Sequence, residues 1–259
     1  MEVLDPGEAE KENKGVMVDG LTWFPKAKPL KMLRIFRTRF KDLGDALEEL
    51  KRVKIVETFL APDHVAKSEE FLVTYVRQGT HHLLLCGLQE YVEGEILDPW
   101  SPIDERHLVS LLGRMGSIKF NNTEGLEGQM VQRVRRRAGK FIQKIREMIV
   151  KEAHIPDLAG IGNLLLTRSG DIKLVDINNI SRVSFDPVIH LDDRGYPVCD
   201  KSMEALSLLD RKLLGRPFGS DDVIYGLFLD PKRMQDVKAM AMAFHQHVEL
   251  GIRALTYPT

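Results

Sequence analysis

Asp157, Asn163 and Asp176 stand six and thirteen residues apart in the stretch HIPDLAGIGNLLLTRSGDIKLVDIN, residues 154–178. Two carboxylates and a carboxamide are hard oxygen donors, suited to a hard divalent cation. Such a set can hold a magnesium–nucleotide complex and still leave one carboxylate to orient a hydroxyl. The plainer alternative makes all three turn residues, because Asp and Asn satisfy backbone groups in loops. From these residues alone the two readings stand level.

Positioning them requires a hairpin. The apolar runs Leu164 to Leu166 and Ile172 to Val175 flank the turn signal Ser169-Gly170-Asp171, which predicts two strands presenting the three polar residues at one edge. Upstream, Gln129 to Ala153 reads as a long amphipathic helix, with Val131, Val134, Ala138, Phe141, Ile142, Ile145, Met148 and Ile149 on one stripe. It delivers the chain into His154. Its basic residues Arg133, Arg135, Arg136, Arg137 and Lys140 lack aromatic interleaving, so they read as a solvated outer face.

Composition narrows the function classes. The chain has 259 residues, 43% hydrophobic and 29% charged, with 37 basic against 38 acidic side chains. That length suits one large domain or two lobes sharing a cleft, and the balanced charge points to no nucleic-acid or membrane partner. No apolar run is long enough to span a bilayer. Cys86 and Cys199 cannot build a disulfide framework, so a reducing, cytoplasmic setting is expected. Residues 1–14 carry no targeting pattern and read as a disordered acidic tail.

The amino-terminal half is strand-like from Gly15 to Phe24 and from Leu30 to Arg37. Met32, Arg34 and Phe36 alternate with Leu33, Ile35 and Arg37, so an arginine sits mid-strand on either face, where it snorkels to a rim or holds an anion. A helix is predicted from about Lys41 to Leu60, with Leu43, Ala46, Leu47, Leu50 and Val53 as its apolar stripe. Glu49 lies at the border of that stripe, Glu48 nearly opposite, and Glu57 is a rival for an inward pairing. Strands at Phe71 to Val76 and His82 to Leu88 lead into Gln89-Glu-Tyr-Val-Glu-Gly-Glu95, a polar crossing segment with backbone groups able to meet an adenine edge. His81 and His82 lack a third ligand and read as a loop feature. A short helix is expected over 104–115 and a last one from about Pro231 to Leu255, with Met234, Val237, Ala241, Phe244, Val248 and Ile252 on one face. That face is core by default, and a protein-partner surface is its minority alternative.

The order of these parts resembles the protein-kinase-like superfamily over about Gly15 to Gly215. The stretch DLAGIGNLLLTRSGDIKLVDIN is similar to the kinase pattern DLxxxNLLxxxxGxIKLxDFG, LQEYVEGE resembles a kinase hinge, and DKSMEALSLLDRKLLG resembles the helix after the activation segment. The resemblance implies an α+β, bilobal kinase-like fold: a tail over 1–14, a reduced antiparallel-sheet lobe over 15–92 and a mainly helical lobe over 93–259. It implies a small-molecule, sugar or lipopolysaccharide-kinase-like branch, or a pseudokinase. Asp157 becomes the residue that orients the acceptor hydroxyl, and Asn163 and Asp176 hold Mg²⁺. Glu90 and Val92 offer backbone groups to the adenine of ATP, and Arg34 stands for the phosphate-contacting strand lysine with Glu49 as its partner.

Departures from the pattern accompany the matches. The loop from Asp157 to Asn163 carries one extra residue, absorbed by its glycines. Asp176-Ile177-Asn178 lacks the Phe-Gly of protein kinases and is closer to small-molecule kinase usage. Residues 10–25 hold no GxGxxG, and no lysine stands in a VAIK-like context. Two functions follow: an ATP- and Mg²⁺-dependent phosphotransferase acting on the hydroxyl of a small molecule, sugar or protein, or a pseudokinase serving as a nucleotide-binding or regulatory module.

Overall fold

The computed structural model describes residues 1–36, 40, 42–117, 124–216 and 222–256, with no side chain described at 124, 126 or 248–256. Arg37, named above as a mid-strand arginine, and Val248 and Ile252, named for the last helix's face, therefore lie outside the described residues or side chains. The elements run β1 (Glu2–Leu4), α1 (Pro6–Lys14), β2 (Val16–Val18), β3 (Leu21–Trp23), β4 (Pro29–Ile35), α2 (Leu43–Leu60), β5 (Ser68–Arg77) and β6 (Thr80–Glu90). They continue with β7 (Gly94–Ile96), α3 (Glu105–Arg114), α4 (Glu124–Glu152), β8 (His154–Pro156), β9 (Leu164–Thr167), β10 (Ile172–Leu174), β11 (Ile180–Arg182), α5 (Val198–Leu214) and α6 (Pro231–Thr256). This is an α+β chain in which every described pair of strands is antiparallel. Among the described residues no helix is long and apolar enough to cross a membrane.

Two compact units divide the chain. The first comprises residues 1–51 and 66–93, and the second 52–65 and 94–259. The sheet of the first unit has the order β1-β4-β6-β5, and β2 and β3 form a separate ribbon. Residues 1–14 are not the disordered tail expected from their polarity. β1 pairs with β4, and the Met1 ammonium donates to the Leu33 carbonyl at 2.8 Å. Helix α1 forms because Asp5 caps it, its carboxylate accepting from the N–H groups of Gly7 and Glu8 at 2.9 and 3.1 Å, and Pro6 presets its first turn. Lys11–Glu8 and Lys14–Glu10 pairs add support along its surface.

Helix α2 buries a stripe rotated from the expected one. Ala46, Val53, Val56 and Leu60 are fully buried and Glu49 nearly so, while Leu43 and Leu47 are exposed. Spacings of three and four through 46, 49, 53, 56 and 60 keep one continuous face over the whole helix, which a stripe through 43 and 47 does not.

The core of the second unit is built on α4. All eight positions of its apolar stripe, Val131 through Ile149, are inaccessible to solvent or nearly so. Helix α5 lies against it and ends at Gly215, whose left-handed conformation (φ 67°) closes the last turn onto the Arg211 carbonyl. The sheet β10-β9-β7 and the β8–β11 pair carry the polar residues of interest.

Candidate functional site

Leu164, Leu165 and Leu166 pair with Leu174, Lys173 and Ile172, so β9 and β10 form the predicted hairpin, tightened by Gly170 at φ 89°. Arg137 of α4 holds the turn through the Asp171 carboxylate. Beside the hairpin, β8 pairs with β11, two three-residue strands too short to carry a periodic signal. They matter because they set both ends of the polar loop. The Asp157 N–H donates to the Asn179 carbonyl at 2.9 Å, and the Val175 N–H donates to the Asn163 carbonyl at 2.9 Å. These two backbone bonds bind the Asp157 loop, Asn163 and the Asp176 turn into one connected structure.

Within it each side chain is oriented locally. Asp157 Oδ1 accepts from the N–H groups of Ala159 and Gly160 at 3.0 and 3.1 Å, the turn chemistry that short acidic side chains favour. Asn163 Nδ2 donates to the Asp157 carbonyl at 2.8 Å. Because a carbonyl can only accept, this bond fixes the amide's orientation and leaves Oδ1 without a hydrogen bond among the described residues. Asp176 Oδ1 accepts from Asn178 N–H at 2.9 Å, and its Oδ2 has no hydrogen bond among the described residues. Gly160 is required by contact: a Cβ there would fall 2.5 Å from Asn163 Nδ2.

Among the described residues no three His, Cys, Asp or Glu side chains are grouped to hold a metal. A cation here would rest on one carboxylate and one carboxamide. That donor set fits Mg²⁺, which keeps several waters and uses one or two protein oxygens beside phosphate. It does not fit zinc, which takes nitrogen and sulfur ligands in a closed site.

The loop is braced from segments distant in the chain. Ser202 Oγ, fully buried in α5, accepts from the Leu158 N–H at 3.2 Å, and Trp100 Nε1 donates to the Ala159 carbonyl at 2.9 Å. The Lys201 ammonium lies 4.0 Å from the Trp100 ring centroid and binds Glu204 at 2.6 Å. Burial raises the Tyr196 phenol above its ordinary value, with the charge of Asp157 as the next cause and those of Glu204 and Asp192 behind it. Asp200 at the start of α5 forms a buried two-pronged pair with Arg233, whose remaining donors reach the Asp186 and Val188 carbonyls. This fork-to-carboxylate geometry fixes the chain between β11 and α5.

The remaining candidates lie in the first unit. The Arg34 guanidinium, on β4, stands 5.4 Å from the ring centroid of Phe36, the residue that follows the strand. Arg34 Nη2 donates to Ser68 Oγ at 2.9 Å and pairs with Glu70 at 3.3 Å, the Arg34 and Glu70 side chains being 9% and 2% exposed. Glu70, absent from the sequence reading, is thus an observed ionic partner of Arg34. Gly87 makes room for it, since a Cβ there would lie 3.0 Å from Arg34 Nη2. Glu49 is buried in α2, whereas Glu48 and Glu57 bind Lys51 and Lys54. Glu90 ends β6, its N–H donating to the Lys67 carbonyl at 2.8 Å and its carboxylate accepting from Lys67 N–H at 3.0 Å. Val92 is half-buried in the irregular segment that follows.

No protein-family model matches the chain, and no curated protein does. Among solved structures the chain is similar to the ROP18 kinase domain in complex with AMP-PNP and sucrose, with 10% sequence identity, 84% of this chain and 75% of that chain covered, and a TM-score of 0.34.

Proposed function

We propose that the protein is an ATP- and Mg²⁺-dependent phosphotransferase of the protein-kinase-like kind that acts on a hydroxyl group. The observation that carries this reading is the connected Asp157–Asn163–Asp176 structure, in which Asn163 Oδ1 and Asp176 Oδ2 are oriented by the backbone yet make no hydrogen bond among the described residues. Asn163 and Asp176 would hold the cation, which would supply positive charge to neutralise the phosphates. Asp157, its carboxylate turned by Ala159 and Gly160, orients the acceptor hydroxyl and takes its proton. Glu90 and Val92 would contribute backbone groups to adenine, and Arg34, with Glu49 buried in the same unit, a positive charge to phosphate. The short, turn-rich segment 183–197 favours a small molecule or sugar as acceptor over a docked peptide.

One observation favours the second reading, a pseudokinase that binds nucleotide without turnover. The Arg34 guanidinium is engaged by Glu70 and Ser68, and arginine does not reproduce the compact ammonium of a phosphate-contacting lysine. Nucleotide hydrolysis and equilibrium binding, measured side by side, decide between the two. The enzyme reading expects Asp157→Ala to abolish slow ATP hydrolysis while leaving binding, and Asp176→Ala to weaken Mg²⁺-dependent binding itself. Binding without turnover in the wild type selects the pseudokinase, and no Mg²⁺-dependent binding at millimolar ATP overturns the enzyme reading.

A further inference from the structure

Strand β5 is the outer strand of its sheet and, among the described residues, is hydrogen-bonded to β6 alone. The Leu85 carbonyl accepts from Phe36 N–H at 2.9 Å, so residue 85 turns its backbone groups toward the β4 side of β6. By alternation Leu84 and Cys86 turn theirs toward β5, where they face Val73 and Phe71. The N–H and C=O groups of Leu72, Thr74 and Val76 are therefore left along the outer edge. Ten residues pair with β6 without a register break and the strand contains no proline, so neither a bulge nor a proline blunts this edge.

The side chains of this strand are self-complementary. Glu69, Phe71, Val73, Tyr75 and Arg77 share one face, opposite the face that buries Ser68 and Glu70. Phe71, Val73 and Tyr75 are 42%, 38% and 47% exposed, and Ile35, two strands away in the row of Phe71 and Cys86, is 48% exposed. Reversed end for end about Val73, the strand sets Glu69 opposite Arg77, Phe71 opposite Tyr75 and Val73 opposite itself. Sliding the copy by two residues loses this match, because Arg77 then meets Lys67 in one direction or Phe71 in the other.

We propose that β5 pairs antiparallel with β5 of a second copy of this chain, about a two-fold axis at Val73. In that register Leu72 and Thr74 of opposite copies exchange their outward backbone bonds, as do Glu70 and Val76. The odd-numbered residues form the pairs without backbone bonds, whose side chains approach most closely. The contact is isologous and closed, so it doubles the four-stranded sheet and stops there.

Sedimentation velocity over a concentration series, with circular dichroism as a control for folding, tests the interface. Wild type sediments as a monomer–dimer equilibrium, and Arg77→Glu, which sets two acidic side chains opposite each other twice, raises the dissociation constant roughly tenfold. Combining it with Glu69→Arg restores dimerisation. Val73→Cys forms a disulfide-linked dimer without reductant, because the pair at the axis brings Cα atoms to about 4.5 Å. Tyr75→Cys, opposite Phe71, does not. The native thiols do not compete, since both are buried and burial raises them, Cys199 to about 12. A monomer at every concentration, a dimer indifferent to Arg77→Glu, or no Val73→Cys cross-link each overturns the proposal.

Discussion

Two glycines in the loop from Asp157 to Asn163 are needed for different reasons, and this difference makes the site testable at single residues. Gly160 is needed because a side chain there would strike the Asn163 carboxamide at 2.5 Å. Gly162 is needed for its backbone, at φ 93°, and has nothing within reach of an added Cβ. Gly160→Ala should therefore displace Asn163 and remove Mg²⁺-dependent nucleotide binding as fully as Asn163→Ala does, with a stability loss of about 1–3 kcal/mol. Gly162→Ala should cost about 1 kcal/mol of backbone strain and keep the Mg²⁺ response. Titration calorimetry of the two variants with and without Mg²⁺ checks the pair, and an intact Mg²⁺ response in Gly160→Ala would refute the assignment of Asn163. The identities and spacing of Asp157, Asn163 and Asp176 were legible in the sequence, as was the need for glycine between the first two. The loop bonds of Trp100 and Ser202 were not, because these side chains come from segments distant in the chain and no spacing to Asp157 marks them.

At the scale of elements, the chain segment after α2 is sewn to the hairpin by a histidine. His64, only 3% exposed, accepts the Leu174 N–H on its own carbonyl at 2.9 Å, and its Nδ1–H donates to the Ile172 carbonyl at 3.2 Å. Lys173 returns the connection, its ammonium donating to the Pro62 carbonyl at 2.7 Å. Burial lowers the His64 pKa below its ordinary value of 6.5, helped by the charge of Lys144, and together they outweigh the backbone bond to Ile172 and the charges of Asp63 and Asp171, which raise it. The sign follows from linkage: between the lowered folded value and 6.5 the unfolded chain binds a proton that the folded chain refuses, so stability falls as pH drops through that window. His64→Gln, which keeps a donor but does not titrate, should show a shallower decline of the urea midpoint between about pH 7 and pH 5 than wild type. Equal slopes would remove His64 as a source of acid sensitivity. Long periodic elements such as α4 were readable position by position. The α2 stripe was misplaced because Leu43 and Leu47 fit the period locally, while the buried set is chosen by the longer face running on to Leu60. The three-residue strands β7, β8 and β11 offered too few positions for any period to show.

For the whole molecule, the division into units does not follow chain order, and this governs how ligand binding is read out. Residues 52–65 belong to the second unit although they continue α2 from the first, so no composition change or linker marks that boundary in the sequence. The other boundary, between Glu93 and Gly94, coincides with a glycine whose Cβ would lie 2.7 Å from the Leu166 carbonyl. Anything that binds the folded chain alone stabilises it by mass action, by about 2.7 kcal/mol at a hundredfold excess over the dissociation constant. For a chain of this size that is a rise of about 5–10 °C in melting temperature. ATP with Mg²⁺ should produce such a rise, chelation with EDTA should remove most of it, and Asp176→Asn should make the two conditions indistinguishable, because the anionic cation ligand is gone while the fold keeps an isosteric side chain that can still accept from Asn178 N–H. Arg34→Met should behave differently, lowering the rise in both conditions through phosphate affinity while leaving its dependence on Mg²⁺. If ATP raises the melting temperature equally with EDTA in wild type, nucleotide binds without the Asn163–Asp176 pair and the metal role proposed for those residues is wrong.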